Sequence, residues 1–299
     1  MKILLTGSTG QLGIAINSIK PTYHELLLPK RNELDLSDKE NCQKYVEFHK
    51  PDLIINSGAF TNVDLAEEQS DLCFAINVEA PLVFAKILKE YGGNLLQISS
   101  DYVFDGNQNI PYKINQERNP LSKYGQSKSR CEEIIEEILK PTHQLVILRI
   151  SWLIGPIGKN FLLTILKLHQ NKEQFSVVDD QIGSISSTYD VAKICWKIIS
   201  DWQLFSKCEN YINHWRCEGL ASWYDVAIAI GEIAVKYQII KKPAKIFPIK
   251  TEDYPTLAKR PPYSILDFSN TKKLLGIEGI YWREELEQII LKIINEKNI

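Results

Sequence analysis

The chain has no apolar run approaching the roughly 20 residues that a membrane-spanning helix requires, and it opens directly on MKILLTG without a basic leader and a cleavable apolar stretch. It therefore reads as cytoplasmic, with no membrane partner expected. Charge of neither sign is in excess. The 35 Lys and Arg face 37 Asp and Glu, a net charge of -2, which leaves no basic field to hold a nucleic acid. Cys42, Cys73, Cys131, Cys195, Cys208 and Cys217 form no CxxC pair, and the five histidines form no HxxxH. A disulfide framework, a thiol nucleophile and a metal site are not expected, and the cysteines read as reduced packing residues. Internal repeats and low-complexity tracts are also missing. What is present, 44% hydrophobic residues in a chain of 299, suffices for a sizeable core and roughly two lobes. The ligand expected is small.

Short apolar runs alternate with helical stretches through the first half, the pattern of a parallel sheet covered by helices on both faces. Strands are expected over 3–5, 25–28, 52–56, 95–99 and 145–150, and helices over 11–19, 39–48, 72–91 and 122–139. Pro51 and Gly92-Gly93 close two of those helices. After Trp152 the alternation loosens, with helices expected over 161–169, 188–199 and 222–237. The division predicted is a nucleotide-binding domain over 1–152 and a mainly substrate-binding lobe over 153–299, some segments of which return to the sheet.

Between the first strand and first helix lies Gly7-Ser8-Thr9-Gly10-Gln11-Leu12-Gly13. Glycines there permit a tight turn and close approach of backbone to a pyrophosphate, and the helix N-terminus offers free N–H groups to that anion. In this strand–turn–helix context Gly7, Thr9, Gly10, Gln11, Leu12 and Gly13 are candidate dinucleotide contacts. The fold class expected is α/β, a Rossmann doubly wound parallel sheet with a smaller C-terminal lobe. At the end of the second strand stand Lys30 and Arg31, with no carboxylate at that point. Cations there favour NADPH, with NADH possible, because an Arg fork binds a 2′-phosphate; the plainer alternative is two solvated surface charges. Asp35 and Leu36 are expected near the adenine.

Tyr124-Gly125-Gln126-Ser127-Lys128 is a YxxxK at a helix start, which puts both side chains on one face within a turn. An ammonium beside a phenol favours the phenolate, making the phenol a better proton donor to a developing alkoxide. Ser100, at the end of the fourth strand, lies where open α/β sheets hold ligands, and its hydroxyl can orient a carbonyl. Ser100, Tyr124 and Lys128 are thus the catalytic candidates, and Tyr124 and Lys128 are also expected to bind the cofactor, the lysine at the nicotinamide ribose.

Together with LLTGSTGQLG, NSGAFTNVDLAE, SSDYVFDG, YGQSK, RISW, DDQIGS and RPPYSILD, this constellation resembles the extended short-chain dehydrogenase/reductases, and among them the dTDP-4-dehydrorhamnose reductase family. The resemblance implies NAD(P)H-dependent reduction of the C4 ketone of a 4-keto-6-deoxy sugar nucleotide, for rhamnose-containing cell-surface polysaccharide. It maps a Ser/Thr-Tyr-Lys triad onto Ser100, Tyr124 and Lys128, and a cofactor-covering loop onto Ser57, Gly58, Ala59 and Thr61, with Asp64 beside it. It also implies Asp101, Tyr102 and Trp152 at the sugar, with Asn160 and Arg260 toward the diphosphate. Two departures stand out. Gly13-Ile14-Ala15 lacks the glutamate of family members that assemble through a shared magnesium, so no metal is expected and the chain is read as monomer or homodimer. Ile185-Ser186 replaces the usual proline-threonine pair. The remaining tryptophans, Trp196, Trp202, Trp215 and Trp223, read as packing residues, and Glu132, Glu133, Glu136 and Glu137 as a solvated helix face. The alternatives are a related nucleotide-sugar reductase, epimerase or dehydratase, or a non-catalytic subunit resembling that of methionine adenosyltransferase.

Overall fold

A computed structural model describes residues 1–207 and 209–297. Cys208 lies outside the described residues. In chain order the first half runs β1 (Lys2–Thr6), α1 (Gln11–Ser18), β2 (Glu25–Leu27), α2 (Lys39–His49), β3 (Leu53–Asn56), α3 (Leu65–Glu68), α4 (Ser70–Phe74), a π-helical turn (Ala75–Glu79), α5 (Ala80–Tyr91), β4 (Asn94–Ser100), α6 (Lys123–Leu139) and β5 (Leu145–Ile150). The second half runs β6 (Leu153–Ile154), α7 (Phe161–Asn171), β7 (Gln174–Val178), β8 (Ile182–Gly183), β9 (Ser186–Ser187), α8 (Thr188–Ser200), α9 (Trp202–Phe205), β10 (Ile212–Trp215), β11 (Ala221–Ser222), α10 (Trp223–Lys236), β12 (Lys245–Ile249), α11 (Ser269–Leu275) and α12 (Trp282–Lys297).

The sheet has the order β2-β1-β3-β4-β5-β10, and every pair in it is parallel. Because side chains alternate along a strand, Ile3 and Leu5 enter the core shared with α1 and α8, while Leu4 enters the one shared with α2, α5 and α6. Both faces are covered, which is why the strands are apolar without interruption. Truncating a fully buried residue such as Leu5 to Ala should cost roughly 2–5 kcal/mol. Helix boundaries follow local chemistry: Asp38 caps α2 by accepting from the N–H groups of Glu40 and Asn41, and α5 stops at Gly92 with φ +88°. The chain order reverses at β1, which opens a crevice at the strands' C-terminal ends.

One element departs from expectation. The single helix foreseen over 72–91 is broken, because the π turn turns Asn77 inward to bond both the N–H and the carbonyl of Phe60, 17 residues earlier. The second half returns β10 to the sheet beside β5, and packs α8 on α1. The rest of the second half is built from two-stranded pairs, β7 with β12, β8 with β11 and β6 with β9, around a separate core between α7, α10 and α12. Trp196 and Trp215 are core residues, and Cys42, Cys73, Cys131, Cys195 and Cys217 are buried free thiols. Among the described residues, no helix is long and apolar enough to cross a membrane, and no group of three His, Cys, Asp or Glu is disposed to hold a metal ion.

Candidate active site

A cleft of about 760 Å³ runs over the C-terminal ends of the strands. Its floor is the glycine turn. Gly7 has φ +66°, and a Cβ on Gly13 would lie 2.2 Å from the Gly7 carbonyl oxygen, so only glycine lets α1 sit this close to β1. The N-terminus of α1 has no side-chain cap and no acidic residue in its first turn. Its N–H groups and positive dipole end face the cleft unopposed, as an anion requires. Thr6 Oγ1 donates to Asn56 Oδ1 at 2.6 Å and accepts from the N–H of Gly58 at 3.0 Å, which fixes the loop after β3 to the turn. Thr9, Gly10, Gln11 and Leu12 line the cleft, as do Ser57, Gly58, Ala59 and Thr61.

At one end the cleft reaches the loop after β2, where Pro29, Arg31, Asp35 and Leu36 form its wall. Lys30 is not part of that wall. Its side chain is exposed, and its backbone N–H donates to the Glu33 carboxylate at 2.7 Å. Of the pair foreseen as phosphate readers, only Arg31 faces the cleft, 3.7 Å from Asp35. Hydrogen bonds from the N–H and hydroxyl of Ser37 hold the Asp35 carboxyl below its ordinary range, with Arg31 assisting.

Midway along the cleft, Ser100, Asp101, Tyr124 and Lys128 come together. Ser122 caps α6 by accepting from the N–H of Gly125, and this helix presents Tyr124 and Lys128 to the end of β4. Lys128 Nζ donates to the Ile98 carbonyl at 2.7 Å. Its own burial lowers its pKa, with Glu132 among the groups acting against that fall. Burial raises the Tyr124 phenol, Asp101 raises it further, and the Ser100 hydroxyl offsets part of the rise. The phenol thus lies above its usual value, burial outweighing the Ser100 bond, and the ammonium of Lys128 is held at the Ile98 carbonyl. Ser100 Oγ donates to Asp101 Oδ1 at 2.9 Å and accepts from the N–H of Tyr102. Burial lifts the Asp101 carboxyl to about 6. Asp101 Oδ2 and the Ser264 hydroxyl are both buried without a hydrogen bond of good geometry, yet the Ser264 hydroxyl bears on the Asp101 carboxyl and works against its rise. The Tyr102 ring packs edge-on to Tyr124, with centroids 5.5 Å apart.

The far end is aromatic. Trp152, in the left-handed backbone region at φ +45°, lays its indole on Trp223 at 3.6 Å and 8°. A Cβ on Gly183 would strike that indole. Trp223 also meets Phe161 and lines the cleft, so it is not mere packing. A tryptophan at the first position of a helix gave no sequence signal to separate it from the core ones. Asn160 caps α7 and donates through Nδ2 to the carbonyls of Gly155 and Ile157; it lines the cleft beside Lys159. Arg260 stands outside the wall, its guanidinium paired with Asp64 at 2.8 Å. Val63, Ile76 and Lys159 are wall residues that sequence reasoning missed. Ile76 is delivered by the π turn, a kind of helix irregularity that recurs at functional sites.

Comparison with known proteins bears on this geometry. The family model described as the RmlD substrate binding domain matches residues 1–294. The dTDP-4-dehydrorhamnose reductase of Aggregatibacter actinomycetemcomitans is 34% identical over 290 residues, 96% of this chain and 98% of that one. A dTDP-4-dehydrorhamnose reductase crystal structure from Clostridium acetobutylicum superposes with TM-score 0.89 at 34% identity, covering 98% of this chain and 99% of that one. The one from Bacillus anthracis, in complex with NADP, gives 0.87 at 30%, covering 97% and 99%.

Proposed function

The chain belongs to the dTDP-4-dehydrorhamnose reductase family, and from that premise we propose that it reduces the C4 ketone of dTDP-4-keto-L-rhamnose with NADPH to give dTDP-L-rhamnose. The observation that carries this reading is one cleft that combines a glycine-floored anion seat, the Ser100/Tyr124/Lys128 group beside it and an aromatic wall beyond. The seat fits a dinucleotide: a Cβ at Gly13 would close it, and the uncapped end of α1 suits a pyrophosphate.

In this reading Arg31 meets the 2′-phosphate, Asp35 and Leu36 flank the adenine, and the loop from Ser57 to Thr61 covers the nicotinamide half. NADPH, when bound, supplies the hydride. Ser100 turns its hydroxyl from Asp101 to the ketone oxygen and orients it, while Tyr124 gives up its proton to that oxygen. The high pKa of the buried phenol keeps it protonated at neutral pH, and an alkoxide is more basic still, so the transfer runs toward the alcohol. Lys128 then stands as the cation nearest the phenolate left behind. Asp101 and Tyr102, which line the cleft beside Ser100, bound the sugar on that side. Trp152 and Trp223 provide the flat wall for the sugar nucleotide, and Lys159 with the N-terminus of α7 takes the diphosphate position first assigned to Arg260. Residues 1–152 act mainly on the cofactor and 153–299 mainly on the substrate, with β10 and α8 lent back to the first half. The chain works as a monomer or homodimer without metal.

The test is to follow NADPH oxidation at 340 nm with dTDP-4-keto-L-rhamnose and to identify the deoxysugar formed. Stoichiometric oxidation with dTDP-L-rhamnose as product is expected. Retention of bound NAD with no net NADPH consumption would instead make the protein an epimerase.

A further inference from the structure

One turn beyond Lys128 on α6 comes Glu132, a residue whose neighbours Glu133, Glu136 and Glu137 give it the look of a solvated face. Its side chain is fully buried. The carboxylate accepts from Ser99 Oγ at 2.5 Å, from Arg149 at 3.0 Å through Nε and 2.6 Å through Nη2, and from Arg118 Nη1 at 2.9 Å. The donors come from three places, β4, β5 and the loop before α6. An anion taken out of water is expensive unless every lone pair is met, and here each oxygen has at least two donors.

The position of this anion is what gives it a consequence. Three consecutive residues of β4 meet three successive turns of α6. Ile98 accepts from Lys128, Ser99 donates to Glu132, and Ser100 faces Tyr124. Glu132 therefore clamps Ser99, the β4 residue between Ile98 and Ser100, to the helix that carries Tyr124 and Lys128. It also adjoins the buried Lys128 ammonium on the same helix face. Other groups around Lys128 are Cys131 on α6 and Cys73 on α4, both thiols, and Asp101 lies across the Tyr124 side of the site. Around Glu132, Arg118 is shared with Glu136, and Arg149 abuts His214 of β10. Burial, seconded by Arg149, pulls His214 down to about 3, so it stays neutral.

We propose that Glu132 is a positioning residue for the reduction, its carboxylate fixing the end of β4 against α6 so that Ser100 meets Tyr124, and its charge holding Lys128 as an ammonium. This rests on the reductase reading for its purpose, but not for its test. Replacing Glu132 by Gln keeps the shape and leaves the arginine cations less compensated beside Lys128, so the ammonium becomes harder to hold. Arg118→Met does the reverse, since Arg118 is partly exposed and its loss strengthens the net negative charge of Glu132.

The experiment is an NMR titration of selectively labelled lysine side chains in the cofactor-free protein, with Lys128 assigned from Lys128→Arg. In Glu132→Gln the Lys128 midpoint should fall by about one pH unit or more, and in Arg118→Met it should rise by roughly half a unit. In the enzyme assay the alkaline fall of kcat should move with that midpoint. Ser99→Ala, which removes the clamp bond and no charge, should lower kcat roughly tenfold with the alkaline limb in place. An unchanged Lys128 midpoint in both charge variants would overturn the proposal, and if Glu132→Gln does not fold, an unmoved midpoint in Arg118→Met overturns it alone. Normal titration shifts in a protein without reductase activity would instead count against the proposed function.

Discussion

The cofactor cleft passes the ends of β2 and β4, where similar groups stand in opposite surroundings. At the β2 end, Arg31 and Asp35 have side chains 76% and 39% exposed; at the β4 end, Asp101 and Lys128 are 2% and 4% exposed. Water and salt screen the first pair, so each of its charges contributes modestly and adjusts to whatever binds. Burial at the other end shifts every ionisable group: Asp101 and Tyr124 up, Lys128 down. A dehydrated site costs folding energy and gains chemical leverage, while a hydrated one gives affinity with little strain.

Substitutions at the two ends should differ accordingly. Tyr124→Phe removes the proton donor and should lower kcat by roughly 10²- to 10⁴-fold with the NADPH Kd unchanged, as measured by quenching of protein fluorescence. A proportional loss of cofactor affinity would show that the buried end binds rather than reacts.

Asp101→Asn addresses the folding cost. Because the folded-state pKa lies near 6, above the ordinary 3.8, the folded protein binds the proton more tightly than the unfolded chain. Stability from this group is full below about pH 4 and is lost as pH rises toward 6, amounting to about 3 kcal/mol. The ligand-free Asp101→Asn protein should therefore gain up to about 3 kcal/mol over the parent in denaturant unfolding at pH 7, and little at pH 4, while losing activity. Equal differences at both pH values would remove Asp101 from the strained end.

Arg31→Ala should weaken NADPH roughly tenfold, the worth of one charged hydrogen-bonded contact, and leave NADH within twofold. Lys30→Ala should change either cofactor by less than about twofold, as an exposed charge outside the wall does; a loss equal to that of Arg31→Ala would put Lys30 back in the site. The smallest effect expected is that of EDTA, which should leave turnover unchanged because no group of three His, Cys, Asp or Glu among the described residues is disposed to hold a metal ion.

Legibility in the sequence followed the range of the interactions. β1, β3, β4 and β5 announce themselves because strands covered on both faces are short, unbroken apolar runs. The glycine turn and YxxxK are also local, since their geometry is set within seven residues and five residues respectively. What was missed depends on partners far along the chain. The π turn exists for Asn77, whose bonds run to Phe60 and to Ser127, 50 residues away. That some segment of the second half rejoins the sheet was expected, but which one is decided by β5, some 65 residues before β10. Glu132 cannot be told from Glu133 by its neighbours, because the cations that bury it are Arg118 and Arg149. Arg260 offered a guanidinium suited to phosphate, yet Asp64, 196 residues away, already holds it.

The most direct measurement is made with NADPH carrying deuterium at the transferable position of its nicotinamide, followed by mass spectrometry of the sugar nucleotide. Reduction of the ketone by Tyr124-assisted hydride transfer predicts one deuterium at C4 per cofactor oxidised, with the label appearing at least a hundredfold more slowly in Tyr124→Phe. A product without the label, or one labelled as fast in the variant as in the parent, would contradict it.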